Sequence, residues 1–167
     1  MKMIDGMLAE LEQEAETTRR VLERIPQAHL SWKPHPKSMS LGQLALHVAT
    51  VPGMVAELAA LDTIPEPPAF IQPEAATTSE LLPSLTDSVA KAKRALGGFD
   101  DSKMGETWRL HSGGKEILAM PRAAFVRAIM LNHWYHHRGQ LLVYLRLLNL
   151  PVPSVYGPTA DENPFMG

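Results

Sequence analysis

The chain has 167 residues, no cysteine, seven histidines and a formal net charge of -2. That length is typical of one domain with its own hydrophobic core, here residues 1–167. The absence of cysteine excludes disulfides, thiolate metal sites and a thiol nucleophile belonging to the chain. The nearly balanced charge excludes the basic surface that nucleic acid or an anionic membrane would need, so we expect neither as a partner.

The first nine residues do not have the pattern of a targeting signal, because Lys2 and Asp5 interrupt their few apolar side chains. We identify no uninterrupted stretch near the roughly 18 apolar residues that a membrane helix needs. The sequence therefore predicts a soluble intracellular protein, by default in the cytoplasm.

Hydrophobic periodicity predicts four helices, since apolar residues recur at intervals of three and four between proline- or glycine-containing joints. Ser40 and Gln43 predict a capping box at the start of the second helix. Pro52 predicts a kink within that helix, and Pro121 fits the first position of the fourth. The predicted helices cover residues 4–25, 41–61, 79–96 and 121–149.

The segments between these helices are predicted to be connections. Residues 27–39 contain two prolines and predict an extended link, and residues 63–78 hold four prolines and predict a loop. The pattern is broken over residues 99–120, where Ser112-Gly113-Gly114-Lys115 is either a hairpin turn or a loop. The tail 151–167 has turn residues and no period. Four amphipathic helices without a series of strands predict an all-α fold, a four-helix bundle.

The fourth predicted helix carries three histidines within five residues. At roughly 100° per residue, His133 and His137 lie one turn apart on the same face. An apolar stripe through Met130 and Leu141 occupies that side of the helix, whereas His136 lies at its flank. We therefore expect His133 and His137 to face the core, where each ring nitrogen needs a partner.

A metal ion is one such partner, because metal sites often use two histidines at positions i and i+4 of a helix. The third ligand should come from a neighbouring helix, and His47 fits, since it lies beside the apolar residues Leu44 and Val48. Three imidazoles leave one position open for water or substrate, the pattern of a catalytic zinc site. The alternative is that hydrogen bonds alone satisfy each histidine. Three further histidines are expected to be exposed or locally bonded: His29, His35 and His111.

Four motifs occur in order along the chain: Trp32-Lys33-Pro34, Ser40-Leu41-Gly42-Gln43-Leu44-Ala45-Leu46-His47, His133-x-x-His136-His137-Arg138-Gly139-Gln140-Leu141, and Val152-Pro153-Ser154-Val155-Tyr156-Gly157-Pro158-Thr159-Ala160-Asp161-Glu162. Together they resemble the DinB/YfiT-like family of damage-inducible four-helix-bundle proteins. The resemblance implies an up-down-down-up bundle that binds a divalent metal, commonly zinc or nickel, through one histidine of the second helix and two of the last. By motif position these are His47, His133 and His137, the same three residues that the helical wheels indicate.

The resemblance also implies a class of reaction. Relatives include transferases and isomerases that use mycothiol, bacillithiol or glutathione, beside members without known activity. The metal would then hold and deprotonate a low-molecular-weight thiol, which attacks an electrophilic small molecule. Hydrolysis by metal-activated water ranks second, because no His-Glu-x-x-His glutamate supplies a general base. Two alternatives remain: a metal-containing stress or interaction protein without turnover, and a bundle without metal.

Other residues have weaker claims on the site. Asn132, Gln140 and Arg138 are candidates to orient ligands, and Arg138 is equally a candidate solvated or interface side chain. Trp32 should anchor its loop on the core, since loop tryptophans usually bury their rings. Three residues of the tail either fold back near the pocket mouth or serve packing and turn formation: Tyr156, Asp161 and Glu162.

The sequence also predicts a homodimer, because Trp134 and Tyr135 would add aromatic surface beside the ligand face. Three imidazoles do not distinguish zinc, nickel and copper, and the Irving–Williams order favours copper.

Overall fold

The computed structural model describes residues 1–69 and 71–166. Phe70, in the predicted loop, and Gly167, at the end of the tail, lie outside the described residues. The helices are α1 (Met3–Leu22), α2 (Leu41–Ala60), α3 (Leu81–Leu96), α4 (Asp101–Gly105), α5 (Arg122–Phe125) and α6 (His133–Leu147). The strands are β1 (Thr63–Ile64), β2 (Thr107–Ser112) and β3 (Lys115–Pro121). Short 3₁₀ turns occupy Gln27–His29 and Thr78–Glu80, and a π-helical segment, Val126–Asn132, joins α5 to α6.

The local signals for helix ends are largely confirmed. The predicted capping box opens α2: the Gln43 N–H donates to Ser40 Oγ at 3.1 Å, and the Ser40 N–H donates to Gln43 Oε1 at 2.9 Å. The first helix ends at Leu22, three residues before the predicted end. Pro121 precedes the first helical residue instead of occupying it, because Pro121 is still the last residue of β3.

A small three-stranded sheet corrects the prediction of a purely helical chain. β2 and β3 form an antiparallel hairpin around Gly113 and Gly114, and β1 pairs in parallel with β2. Both glycines have positive φ, +56° and +75°, as a type I′ hairpin turn requires. Nearly every residue of β3 is exposed, so the strand lacks the alternation of buried and exposed positions by which strands are recognised. The fold is mostly helical with this sheet, and the up-down-down-up helix order stays a prediction.

α2 is the central helix of the core, since it packs against α1, α3, α6 and the π-helical segment. Twelve of its 20 residues are buried. By length and composition α2 is the one helix among the described residues that could cross a membrane, although we expected no such segment. Contact with helices on several sides accounts for its apolar composition, because such a helix has a wide apolar surface.

Pro52 lies inside α2, which continues past it to Ala60. Proline has no N–H, so the Val48 carbonyl, four residues earlier, lacks its helical donor. Trp134 of α6 supplies that donor, with its Nε1 2.7 Å from the Val48 oxygen. The next N–H, of Gly53, donates to Ser88 Oγ of α3 at 2.7 Å. The region around the proline is therefore hydrogen-bonded to two neighbouring helices.

The aromatic pair that predicted a dimer surface is not exposed in the way expected. Trp134 is fully buried. Tyr135 is half-buried, and its hydroxyl donates to Glu10 Oε1 at 2.8 Å. The prediction of a Trp134 surface was therefore wrong, because the freed Val48 carbonyl of α2 holds the indole inside the protein.

Arg138 is buried too, which corrects its assignment as a solvated, interface or ligand-orienting residue. Its guanidinium donates to Glu14 Oε2 at 2.5 Å and to Thr18 Oγ1 at 3.0 Å, both in α1. It also lies over the rings of Tyr135 and Tyr156, 5.3 and 5.2 Å from their centroids. The Tyr156 hydroxyl donates to Glu14 Oε2 at 2.9 Å. This buried ion pair joins α1, α6 and the tail.

The two carboxylates of the tail hold it against α1 and α6. Asp161 pairs with Arg146 at 2.5 Å, and Glu162 pairs with Arg20 at 2.5 Å and with Arg24 at 2.8 Å. Both carboxylates also accept backbone N–H groups of the tail itself. The contacts of these tail side chains are packing and turn contacts, and Tyr156, Asp161 and Glu162 do not line a cavity beside the histidines.

Candidate metal centre

α2 and α6 bring the three predicted histidines together. His47 lies in α2, and His133 and His137 lie in the first two turns of α6. The ring centroids of His133 and His137 are 4.4 Å apart, and His47 lies 4.6 Å from His137 and 5.3 Å from His133. One ring nitrogen of each histidine lies within 4.8 Å of the other two. Within residues 1–69 and 71–166, this is the one group of three or more histidine or carboxylate side chains close enough to share an ion.

The hydrogen bond between Trp134 and the Val48 carbonyl sets the spacing of the two helices at this point. Trp134 follows His133 in the chain, and Val48 follows His47. The bond is therefore one residue away from a histidine on each helix. Because both bonded groups are buried, breaking the bond would leave an unsatisfied polar group in the core. We infer that this contact keeps His47 and His133 at their present separation.

The histidines are half-buried at the edge of the core, which modifies the prediction from the helical wheel. That wheel was aligned partly on Met130, which lies in the π-helical segment. A π-helix hydrogen-bonds i to i+5 and so holds more residues per turn, which shifts every later residue around the axis. The backbone N–H of His133 accordingly donates to the Ala128 carbonyl, five residues earlier in the chain. The fully buried positions of α6 are Trp134, Arg138, Leu141 and Leu145.

Hydrogen bonding leaves ring nitrogens directed into the cluster. His137 Nδ1 is 2.8 Å from Gln140 Oε1, so we assign the proton to Nδ1 and the lone pair to Nε2. That Nε2 is 2.8 Å from His133 Nε2. His133 presents Nε2 to the cluster, so its Nδ1 lies on the other side of the ring and faces the backbone of Ile129. His47 Nε2 is buried without a hydrogen-bond partner in the described part of the chain. A buried nitrogen of this kind costs free energy unless a cation or a water satisfies it.

The donor set fits a divalent transition metal. Histidine nitrogens bind zinc at about 2.0–2.1 Å, so two ligands of a tetrahedral ion lie about 3.3 Å apart. That separation falls between the 2.8 Å of the His133–His137 nitrogens and the 4.8 Å limit of the whole cluster. Without an ion, the 2.8 Å contact is a hydrogen bond in which one ring donates to the other. The unsatisfied His47 Nε2 is what distinguishes the cluster from a simple hydrogen-bonded pair.

Burial lowers the pKa of all three imidazoles. The pKa of His47 falls to about 4, first because of burial and then because of the nearby rings of His137 and His133. The pKa values of His133 and His137 are also lowered, mainly by burial. All three rings are therefore neutral at pH 7, the form in which histidine binds a metal.

The other four histidines lie outside the cluster. His29 and His136 are exposed, and His35 Nδ1 accepts a backbone N–H two residues further on, at 3.1 Å, as expected. His111 differs from the prediction, because it lies in β2 with a buried Nδ1 that has no hydrogen-bond partner among the described residues.

Of the three polar residues predicted to orient ligands, Gln140 contacts a histidine of the cluster, and its role in orienting a metal ligand stays a prediction. Its Oε1 contacts His137 Nδ1, and its Nε2 is 3.0 Å from His136 Nε2. Asn132 is exposed, and Arg138 belongs to the ion pair with α1.

Two cavities adjoin the cluster. A cleft of about 720 Å³ is lined by His137 and Gln140, together with the loop that precedes α2. A smaller cavity of about 180 Å³ is lined by His47, and Gln43 and Gln72 line both. No aspartate or glutamate of the described residues lines either cavity. The larger cleft has the volume of a typical small-molecule site.

Gln72 and Tyr144 line the larger cleft and are not among the predicted site residues. Gln72 had no usable signal, because it lies in the proline-rich segment before α3. Tyr144 had one, since it lies seven residues after His137 and therefore on the same face of α6. Its hydroxyl donates to the Met39 carbonyl at 3.2 Å, and its ring meets that of Trp32 edge-on at 5.6 Å. The prediction that Trp32 anchors its loop is confirmed.

Comparison with known proteins agrees with this architecture. The family model described as the DinB family matches residues 1–164. The uncharacterized protein YrdA of Bacillus subtilis (strain 168) is 26% identical over 163 residues, which cover 95% of this chain and 91% of YrdA.

Two solved structures are similar over nearly their whole length. A DinB-like protein from Bacillus cereus ATCC 10987 has a TM-score of 0.69 and 25% identity, with coverage of 92% of this chain and 97% of that one. A DinB-like protein from Bacillus subtilis, YjoA, has a TM-score of 0.65 and 18% identity, with coverage of 94% and 98%, and supports the fold alone. Since the family model spans residues 1–164 of 167, the chain belongs to the DinB family.

Proposed function

We propose that His47, His133 and His137 bind one divalent metal ion and that the protein is a metal-dependent thiol S-transferase acting on a small molecule. The observation that carries the proposal is the cluster of three neutral imidazoles, with an unsatisfied His47 Nε2, beside a cleft of about 720 Å³. Zinc and nickel are the proposed ions, because the family resemblance implies them and imidazole suits both.

A bound divalent ion would supply a Lewis acid that lowers the pKa of a low-molecular-weight thiol, so that the thiol releases its proton to water at neutral pH. The chain has no cysteine, so the sulfur nucleophile arrives with the cosubstrate. Gln140 holds the proton of His137 on Nδ1, which directs the Nε2 lone pair into the cluster. The cleft beside His137 holds the thiol and its electrophile, whose carbon forms a bond to sulfur as its leaving group departs with the electron pair.

Three alternatives predict different results. Hydrolysis at the same ion ranks lower, because none of the described residues lining the cavities is a carboxylate that could serve as a general base. A metal-binding stress or interaction protein would keep the ion and show no turnover. A protein without metal would rely on the 2.8 Å hydrogen bond between His133 and His137.

The metal site is tested by elemental analysis of protein purified without a nickel column. We expect one ion per chain in the wild type and its loss in His47→Ala and in the His133→Ala/His137→Ala double variant. His136→Ala is the matched control, because this exposed neighbour lies outside the cluster and should retain the ion. Full metal in the cluster variants, or a wild type that stays substoichiometric after addition of zinc or nickel, contradicts the site.

The activity is tested with a panel of thiols and electrophiles. A transferase should conjugate at least one pair, and both chelation and His47→Ala should abolish that activity. Activity that survives both treatments contradicts a metal-held thiolate. Full metal without turnover across the panel favours the stress or interaction protein.

The homodimer is also a proposal, with a different basis now that Trp134 is buried. Leu147 is more than half exposed at the end of α6 and lines neither cavity, so it offers apolar surface to a second copy of the chain. A clean monomer in sedimentation at high micromolar concentration contradicts the dimer. A cytoplasmic location belongs to the same proposal, because small thiols are kept reduced there.

A further inference from the structure

The 720 Å³ cleft has a positive charge that the histidine cluster does not explain. Lys33 and Lys37, from the loop before α2, line it together with His137. Neither lysine pairs with a carboxylate in the described part of the chain, whereas Lys93 and Lys103 pair with carboxylates elsewhere on the surface. Two lysine side chains thus line a cleft that has no acidic side chain among its described lining residues.

The loop that carries these lysines is tied down at both ends. The ring of its first residue, Trp32, packs on the Tyr144 ring of α6. The Trp32 carbonyl accepts a hydrogen bond from the Leu41 N–H at 2.9 Å. Near its end, the Met39 carbonyl accepts the Tyr144 hydroxyl at 3.2 Å. The lysines therefore stand on a loop fixed against the helix that carries His133 and His137, and a preorganised loop costs less to order on binding.

Several other polar groups of the cleft already have hydrogen bonds. Gln43 bonds to the Ser40 N–H and to the Gln72 carbonyl, and Gln140 bonds to His137. Tyr144 is bonded to the loop. The lysine ammonium groups are thus the charged donors left for a ligand.

We propose that Lys33 and Lys37 bind the anionic groups of a small molecule whose reacting end lies at His137. This rests on the proposed function and narrows its substrate class: the thiol cosubstrate carries carboxylate or phosphate groups. A lysine ammonium is a compact charge without the fork geometry of arginine, so it can bind a carboxylate or a phosphate. A cleft of about 720 Å³ has room for a thiol of peptide or nucleotide size.

Calorimetric titration of the metal-loaded protein with three thiols tests this. Glutathione carries carboxylates, coenzyme A carries phosphates, and N-acetylcysteamine is uncharged. We expect glutathione or coenzyme A to bind about tenfold more tightly than N-acetylcysteamine, with an affinity that falls as salt is added. The preferred thiol tells which anionic group the lysines take. A wild type that binds neither anionic thiol more tightly than N-acetylcysteamine overturns the proposal.

The Lys33→Gln/Lys37→Gln variant should lose about tenfold in affinity for the preferred anionic thiol and nothing for N-acetylcysteamine. Lys115→Gln is the matched control, an exposed lysine of the hairpin outside the cleft, and it should change neither affinity. A double variant that binds all three thiols as the wild type does overturns the lysine site.

A last measurement separates the two proposals. The S-methylated form of the preferred thiol lacks a free sulfhydryl, and we expect it to bind chelator-treated protein in a lysine-dependent way. Lysine-dependent binding to a protein that takes up no metal supports the lysine site and contradicts the metal site. Full metal content without any lysine dependence supports the metal site and contradicts the lysine site.

Discussion

Replacement of Glu14 by alanine removes the charge partner of a buried arginine. Arg138 is 1% exposed and Glu14 is 7% exposed, and the guanidinium contacts Oε2 at 2.5 Å. The change removes this charge-assisted bond, worth about 1.5–3 kcal/mol, and the bond from the Tyr156 hydroxyl, worth about 1 kcal/mol. Bonds from Arg138 to Thr18 Oγ1 and to the backbone oxygen at position 14 remain. We expect a loss of about 3–4 kcal/mol, within the range measured for broken buried pairs.

Urea unfolding of the metal-free protein at pH 7 measures this loss. Glu16→Ala is the matched control on the same helix, because Glu16 is exposed and 3.7 Å from Arg19. It should change the free energy of unfolding by less than about 0.5 kcal/mol. Replacing Glu14 and Arg138 together by methionine should recover most of the loss, since no unpaired charge is left. A loss below about 1 kcal/mol for Glu14→Ala, with an unchanged m-value, would refute the reasoning.

Three further predictions concern the core and the cluster. Metal-free protein should lose stability as pH falls from 6.5 towards 4, because the pKa of His47 is about 4 when folded and near 6.5 when unfolded, so the unfolded chain binds the proton first. Allowing for solvent screening of a half-buried ring, the loss is about 1–2 kcal/mol. If urea titrations show that His47→Ala loses as much unfolding free energy between pH 6.5 and 4 as the wild type, this prediction is contradicted. Gly53→Ala should cost about 1–3 kcal/mol in thermal unfolding, since its Cβ would lie 2.7 Å from an α3 carbonyl. Gly6→Ala has open space and should stabilise by about 0.5–1 kcal/mol, and equal effects would refute the packing argument. Trp134→Phe should lower the free energy of unfolding by about 1–3 kcal/mol, because the Val48 carbonyl loses its hydrogen-bond donor. In a Pro52→Ala background the loss should be much smaller, because the backbone N–H restored at position 52 donates to that carbonyl. A cost independent of Pro52 contradicts that.

Features that depend on neighbours in the chain were predictable. The capping box of Ser40 and Gln43 is a contact between residues three apart, and it forms as predicted. Histidines at positions i and i+4 of a helix must share a face, and His47 stood out as the histidine within the apolar second helix. These local rules identified the three residues that the structure brings together.

Strand pairing needed information from distant segments. β1 has two residues and pairs with a strand more than 40 positions later in the chain, so its own sequence carries almost no signal. The sequence does not distinguish a hairpin from a loop at β2 and β3, because the mostly exposed β3 has no alternating pattern and the two glycines are the local signal.

The sequence alone determined where the long helices lie, how one of them is capped, and that three imidazoles could meet. The tertiary structure decided which side chains are buried, because burial depends on the partner that another helix presents. Arg138 is buried because it pairs with Glu14, which lies 124 residues earlier in the chain. Trp134 is buried because it donates to the α2 carbonyl that Pro52 leaves without a helical donor. A wheel of constant pitch also missed the π-helical turn before His133, which rotates the later residues of α6 and leaves the histidines at the edge of the core beside the cleft.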